Sequence, residues 1–291
     1  MDTYLDCFPC FLRQAIEASR MVTHDEGVQR RVLNVVMEKM SIFPLTATPP
    51  EMARVIHQTI REVTGSDDPY RQVKERSNEK ALELYSLMKE LVATSGDPLL
   101  ASCRLATAGN SIDFGVSSES FRDYHSLIEY ALSSPCRVDH YGKFVGCLSR
   151  ASSLLYLGDN AGEIVFDRVF IEEIRAFKDI DVIFVVRGSP IINDATHEDA
   201  MYVGMEKVAK IMSNGCDYPG TVLRSCSKRV QELFQSADIV IAKGQGNYES
   251  IDGDRGNLFH LFKVKCSVVA SQLKVDVNDM VFMDRVGWGS Q

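Results

Sequence analysis

Leu154-Leu155-Tyr156-Leu157-Gly158-Asp159-Asn160-Ala161-Gly162-Glu163 is the stretch that decides the fold. Its four apolar residues have the length and composition of a buried strand, and Gly158 ends the run. From Ala161 through Ile174 the apolar spacing becomes that of a helix. A carboxylate and a carboxamide therefore stand at the carboxyl end of a strand, just before a helix N-terminus. Open α/β sheets bind ligands at that edge, and the helix start offers N–H groups suited to an anion. Asp159 would repel a bare anion unless a cation lay between them. The stretch predicts a metal ion bridging protein and phosphate.

Working outward, β-rich apolar runs recur at 182–186, 239–242 and 267–270, with a weaker one near 208–212. Helical stretches separate them, and that alternation predicts parallel βαβ units. A polar cluster follows each of the first two of these runs: Arg187-Gly188-Ser189-Pro190-Ile191-Ile192-Asn193-Asp194, then Lys243-Gly244-Gln245-Gly246-Asn247-Tyr248-Glu249. Parallel strands bring such ends to one edge. Asp159, the Asn160 amide and Asp194 are hard oxygen donors suited to Mg²⁺ or Mn²⁺. Arg187 and Lys243 are the cations expected to neutralise a transferring phosphoryl group. Glu163, four residues after Asp159, can project from the first helical turn to orient or deprotonate a water. Gly244 and Gly246 would let backbone N–H groups approach an anion. Each cluster has a plainer alternative: Asp159-Asn160 and Asn193-Asp194 can cap the helices that follow them. Their conjunction at three strand ends favours function.

The first half reads as helical. Thr23-His24-Asp25-Glu26 has capping-box form ahead of Val28, Val32, Val35, Val36 and Met40 on one face. Thr48-Pro49 opens a second helix with proline in its first turn. Ala81, Leu84, Tyr85, Met88 and Leu91 mark a third, Asp97-Pro98 starts a fourth, and amphipathic segments follow near 119–132 and 139–150. The expected organisation is a helical part over 1–100 and a Rossmann-like three-layer α/β/α sandwich with a mainly parallel sheet over 101–291.

At 291 residues the chain can bury a sizeable core. Its 32 Lys and Arg against 40 Asp and Glu give a net charge of −8, which argues against nucleic acid or an acidic membrane surface as partner. Neither a secretory h-region nor an apolar run of membrane-spanning length is visible, so a cytoplasmic location is expected. The third glycine of a dinucleotide fingerprint is replaced by Glu249, and no P-loop, HExxH or Gly-x-Ser-x-Gly is present. Asp252-Gly253-Asp254 begins like a calcium loop, but Lys263 stands where the closing Glu is required. Cys7-Phe8-Pro9-Cys10 has redox or zinc spacing without a strand before it or a second such pair, which favours a structural role.

Taken in order, several motifs resemble the DUF89 family, also called the damage-control phosphatase or ARMT1-like family. They are the early Cys-x-x-Cys, Ala108-Gly109-Asn110-Ser111-Ile112-Asp113-Phe114-Gly115, the stretch from Gly158 to Glu163, Asn193-Asp194-Ala195-Thr196, Lys243 to Glu249, and Leu261 to Cys266. The length and Cys-x-x-Cys resemble the short, stand-alone prokaryotic subgroup. The resemblance implies a metal-dependent phosphatase acting on small phosphorylated metabolites such as sugar phosphates. It implies Mn²⁺, Mg²⁺, Co²⁺ or Ni²⁺ on Asp159, Asn160 and Asp194. It also makes Asn110, Asp113, Arg187, Lys243 and Asn247 candidates for contacts with substrate. The expected reaction is hydrolysis of a phosphate monoester by direct attack of water. An S-adenosylmethionine-dependent carboxyl methyltransferase and a non-catalytic phosphometabolite- or metal-binding module are the alternatives.

Overall fold

The computed structural model describes residues 1–109, 121–251 and 256–285. Six helices come first: α1 (Cys7–Val22), α2 (Glu26–Ser41), α3 (Pro49–Thr64), α4 (Arg71–Glu83), α5 (Tyr85–Ala93) and α6 (Pro98–Gly109). Then follow α7 (Phe121–Ser133), β1 (Val138–Asp139), α8 (Tyr141–Leu148), β2 (Ser153–Leu157), α9 (Glu163–Phe177) and β3 (Asp181–Val186). The chain continues through α10 (His197–Tyr202), β4 (Lys210–Ser213), α11 (Lys228–Ser236), β5 (Ile239–Lys243) and α12 (Gly244–Ser250). It closes with β6 (Leu258–Lys263), α13 (Ser267–Leu273) and β7 (Met280–Asp284).

The strands form one sheet in the order β1-β7-β6-β5-β2-β3-β4. From β6 to β4 every pairing is parallel, whereas β7 runs antiparallel to β6. Alternation along β2 builds the layers. Leu154 and Tyr156 pack with Ile164, Phe166 and Phe170 of α9 on one face, and Leu155 and Leu157 pack with Val230 and Phe234 of α11 on the other. Each such large apolar side chain taken out of water contributes about 1.5–3 kcal/mol. This is the three-layer sandwich with a mainly parallel sheet that the sequence implies. Register aligns Leu157 with Val185 of β3 and with Ala242 of β5, so three strands end level. After β3 and β4 the chain returns to the other side of β2 as β5. That reversal opens a crevice at the strand ends.

Helices α1 to α3 enclose their own core of Phe11, Ala15, Val32, Val36, Met52, Ile56 and Ile60. Arg54 and Arg61, two turns apart on α3, both pair with Asp217, at 2.5 and 2.9 Å, and Arg61 also donates to the Pro190 carbonyl at 2.9 Å. This tethers the helical part to the loop after β3. No described helix is long and apolar enough to cross a membrane.

Several local expectations change. The cap of α2 is Asp25, whose carboxylate accepts from Gly27 and Val28 N–H, and not Thr23. The capping box forms instead at Thr48, where Glu51 accepts both its N–H and its hydroxyl. The third helix is two, broken at Leu84. Residues 267–270 are helical in α13, because four apolar residues are too few for periodicity to separate strand from helix. The weak strand near 208–212 is β4, shifted by two residues at its start.

Candidate active site

Three strand ends converge. Asp159 and Asn160 follow β2, Arg187 follows β3, and Lys243 is the last residue of β5. The loop after β3 folds back on the loop after β2: Ala195 N–H donates to Asp159 O at 2.7 Å and Ala161 N–H to Asn193 O at 2.9 Å. Asn160 and Asp194 thereby form an isolated antiparallel bridge. Neither pair serves as a cap: Gly162, at φ +79°, precedes α9, and Thr196 caps α10 with Asp199. The plainer alternative for both motifs is not what the chain builds.

Two buried ion clusters result. In one, the Arg187 Nε donates to Asp194 Oδ1 at 2.6 Å and its Nη2 to Asp159 Oδ1 at 3.3 Å. In the other, the Lys243 ammonium donates to Glu163 Oε1 at 2.8 Å, Asp167 Oδ1 at 2.5 Å and the Ala106 carbonyl at 2.6 Å. Asn160 joins them, its Nδ2 donating to Asp159 Oδ2 at 2.8 Å and to Glu163 Oε2 at 3.1 Å. The Arg187 Nη1 is buried and has no acceptor among the described residues.

Four buried carboxylates thus face two cations. Burial, reinforced by Asp194 and Glu163, pushes the Asp159 carboxyl up to about 8 against the pull of Arg187. Burial also raises Asp194, with Arg187 opposing, and brings Asp167 to about 7, with Lys243 opposing. For Lys243 burial works against the charge, but Asp167 and Glu163 outweigh it and hold the ammonium above its usual range. A divalent cation would balance the excess negative charge and remove the reason for these carboxyls to stay protonated. The donor chemistry fits as well. Among the described residues no cluster of three or more His, Cys, Asp or Glu is arranged for a metal. Two carboxylates and the Asn160 amide oxygen would be the protein ligands, a set of hard oxygens that suits Mg²⁺ or Mn²⁺.

The glycines and Asn247 of the β5–α12 motif have packing tasks in the fold. A Cβ on Gly244, at φ +79°, would lie 1.9 Å from Asp159 Oδ2, so this glycine makes room for a protein carboxylate. A Cβ on Gly246 would lie 2.5 Å from the Pro219 carbonyl. Asn247 is buried with its amide donating to the Lys243 carbonyl at 2.7 Å and accepting from the Thr221 hydroxyl at 2.7 Å, which braces the β5–α12 turn. Lys243 has no N–H directed at the crevice. Asn110 and Asp113 lie outside the described residues.

Two residues join the site that no motif marked. Asn78 of α4 accepts from Gly162 N–H at 2.7 Å and donates to Asp199 at 3.0 Å, so the helical part holds the turn before α9. Asp167 accepts from Lys243 and from the Tyr156 hydroxyl, the latter at 2.8 Å. Asp167 had one visible signal, a carboxylate inside a helix whose neighbours Val165, Phe166, Val169 and Phe170 are all apolar.

The model for the damage-control phosphatase ARMT1-like domain matches residues 3–281. This chain belongs to that family. An uncharacterised protein of Methanocaldococcus jannaschii is 37% identical over 289 residues, covering 96% of this chain and 94% of its own. A damage-control phosphatase of Pyrococcus horikoshii is 32% identical over 285 residues, with 97% and 98% covered. One of Archaeoglobus fulgidus is also 32% identical, over 286 residues, with 94% and 96% covered. The crystal structure of a DUF89 family protein from Pyrococcus horikoshii superposes with a TM-score of 0.92 at 32% identity, covering 98% of this chain and 99% of that one. Fold and family agree along nearly the whole ARMT1-like chain.

Proposed function

We propose that this phosphatase hydrolyses phosphate monoesters of small metabolites, sugar phosphates among them, with a divalent cation held by Asp159, Asn160 and Asp194. The observation that carries this reading is the set of four buried carboxylates facing two cations at the strand ends. Relatives of near-equal length named damage-control phosphatases supply the reaction class. When bound, the cation supplies Lewis-acid polarisation of the phosphoryl oxygens.

The protein's own groups divide the remaining work. Arg187, whose buried Nη1 has no described acceptor, stabilises negative charge developing on the transferring phosphoryl group. Its bonds to Asp159 and Asp194 hold both carboxylates in one orientation. Glu163 fixes the Asn160 amide, and we assign it the proton of the attacking water. Lys243 contributes positive charge through Glu163 without touching substrate. Gly244 keeps Asp159 in place, Gly246 and Asn247 shape the β5–α12 turn, and Asn110 and Asp113 are assigned to the substrate. Direct water attack is preferred, because a carboxylate engaged with a cation is a poor nucleophile.

The test is phosphate release from a panel of sugar phosphates and p-nitrophenyl phosphate. Metal-stripped protein is resupplied with Mn²⁺, Mg²⁺, Co²⁺ or Ni²⁺, and Asp159→Ala is run beside it. Turnover restored by metal and absent from the variant supports the reading. A folded protein silent across substrates and metals sinks it and returns the methyltransferase and binding-module alternatives.

A further inference from the structure

Asp167 lies in none of the strand-end motifs, yet its carboxylate is fully buried in the second turn of α9, one turn after Glu163. A lysine ammonium carries three N–H donors. Lys243 directs all three at protein acceptors: the Ala106 carbonyl at 2.6 Å, Glu163 Oε1 at 2.8 Å and Asp167 Oδ1 at 2.5 Å. The same Asp167 oxygen accepts from the Tyr156 hydroxyl at 2.8 Å, which anchors it to β2. From Lys243 the chain of bonds continues toward the strand-end crevice. Glu163 presents its other oxygen to Asn160 Nδ2 at 3.1 Å, and that nitrogen donates to Asp159 Oδ2 at 2.8 Å. With its N–H groups turned to two carboxylates, Asn160 keeps its amide oxygen as the atom that can meet a cation.

We propose that Asp167 is a positioning residue of the phosphatase site: it fixes Lys243, and through Lys243 the Glu163 carboxylate that orients Asn160. This rests on the function proposed above. The physical reason is donor geometry. The ammonium ends a flexible four-carbon stem, and two acceptors alone leave its nitrogen able to swing about the line between them. Asp167, held by Tyr156, supplies the third fixed point, so Glu163 Oε1 meets an N–H in one place only. An ion pair that merely filled the core would show no such continuity to Asn160. The groups facing Asp167 that carry or share charge are Lys243, Glu163 and Tyr156, from β5, α9 and β2.

The experiment is a double-mutant cycle on the full chain with two readouts, turnover of p-nitrophenyl phosphate and Mn²⁺ affinity by calorimetry. The variants are Asp167→Asn, Glu163→Gln and the pair together. Asp167→Asn is expected to lower kcat or Mn²⁺ affinity by about tenfold to a hundredfold, with KM for the ester within about twofold. Combined with Glu163→Gln it should add nothing to the loss of Mn²⁺ affinity, because both changes cut the same path to Asn160. This readout decides, since Glu163→Gln also removes the proton acceptor from turnover. Tyr156→Phe, which removes one hydroxyl and keeps the ring, should give a smaller loss that also vanishes in the Glu163→Gln background. It serves as the test should Asp167→Asn fail to fold. Coupling in Mn²⁺ affinity upholds the role. The proposal is overturned when the variants match the parent, or when their losses persist undiminished beside Glu163→Gln. A parent protein with no phosphatase activity would sink the proposed function alone, and calorimetry would still decide the role of Asp167.

Discussion

Arg187 and Lys243 flank β2 from the ends of its two neighbours, β3 and β5, and both are buried against two carboxylates. They use their donors in opposite ways. Arg187 keeps one terminal N–H clear of any described acceptor, whereas Lys243 directs all three at protein atoms. A planar guanidinium has five donors in a fixed fork, so it can brace two carboxylates and still reach a phosphoryl oxygen. An ammonium with three acceptors has nothing left to offer a substrate. Equal charge at equivalent positions is thus bonded differently, and the proposed division of work, chemistry beside β3 and positioning beside β5, follows that difference.

Lys243→Met should separate the two most sharply. It strands Glu163 and Asp167 in the core and should cost about 3–5 kcal/mol of stability, read from urea unfolding. A variant as stable as the parent would show that the β5 cluster holds nothing in place. Arg187→Lys keeps the charge but gives up the fork. We expect kcat for phosphate release to fall about a hundredfold to a thousandfold, with the fold intact by circular dichroism. A loss under tenfold would return Arg187 to a structural role. Gly244→Ala tests the space between the two sides. Its methyl group would displace the Asp159 carboxylate, and a shift of about 1 Å at a reacting centre costs about a hundredfold in rate. Full activity would contradict the close approach at β5.

The smallest effect is graded with pH. An aspartate in an unfolded chain ionises near ~4, whereas burial pushes Asp159 up to about 8. Between those values the metal-free folded chain retains a proton that the unfolded chain has released, so stability falls as pH rises. Mn²⁺ bound at the proposed site would displace that proton. The unfolding temperatures with chelator and with Mn²⁺ should accordingly diverge from pH ~4 toward pH ~8. Parallel curves would mean that Asp159 is already ionised without metal.

The central strands were legible because β2, β3 and β5 are covered on both faces and so read as unbroken apolar runs ending in glycine or charge. β6 was visible only through family resemblance, since Leu258-Phe259-His260-Leu261-Phe262-Lys263 carries a histidine in its middle and lacks a clean period. β7 carries the apolar run Met280-Val281-Phe282-Met283, which the sequence reading did not mark, and the two-residue β1 left no local signal. That Asp159, Asn160, Asp194 and Arg187 meet was legible because strand ends in a parallel sheet must converge. What sequence could not show was direction. At Gly244 and Gly246, where the motif suggests a phosphate cradle, the missing side chains make room for Asp159 and Pro219, and the lysine beside them points inward to Asp167. Spacing along a chain carries no record of which atoms a buried ammonium will meet.

The most direct measurement is Mn²⁺ binding to the metal-stripped chain by calorimetry near pH ~6.5, in buffers of different ionisation enthalpy, with Asp159→Ala alongside. One equivalent should bind with release of protons, since Asp159 must ionise to take the ion. The variant should not bind. Absence of binding to the parent, or binding that Asp159→Ala leaves untouched, would contradict the cation site on which this account stands.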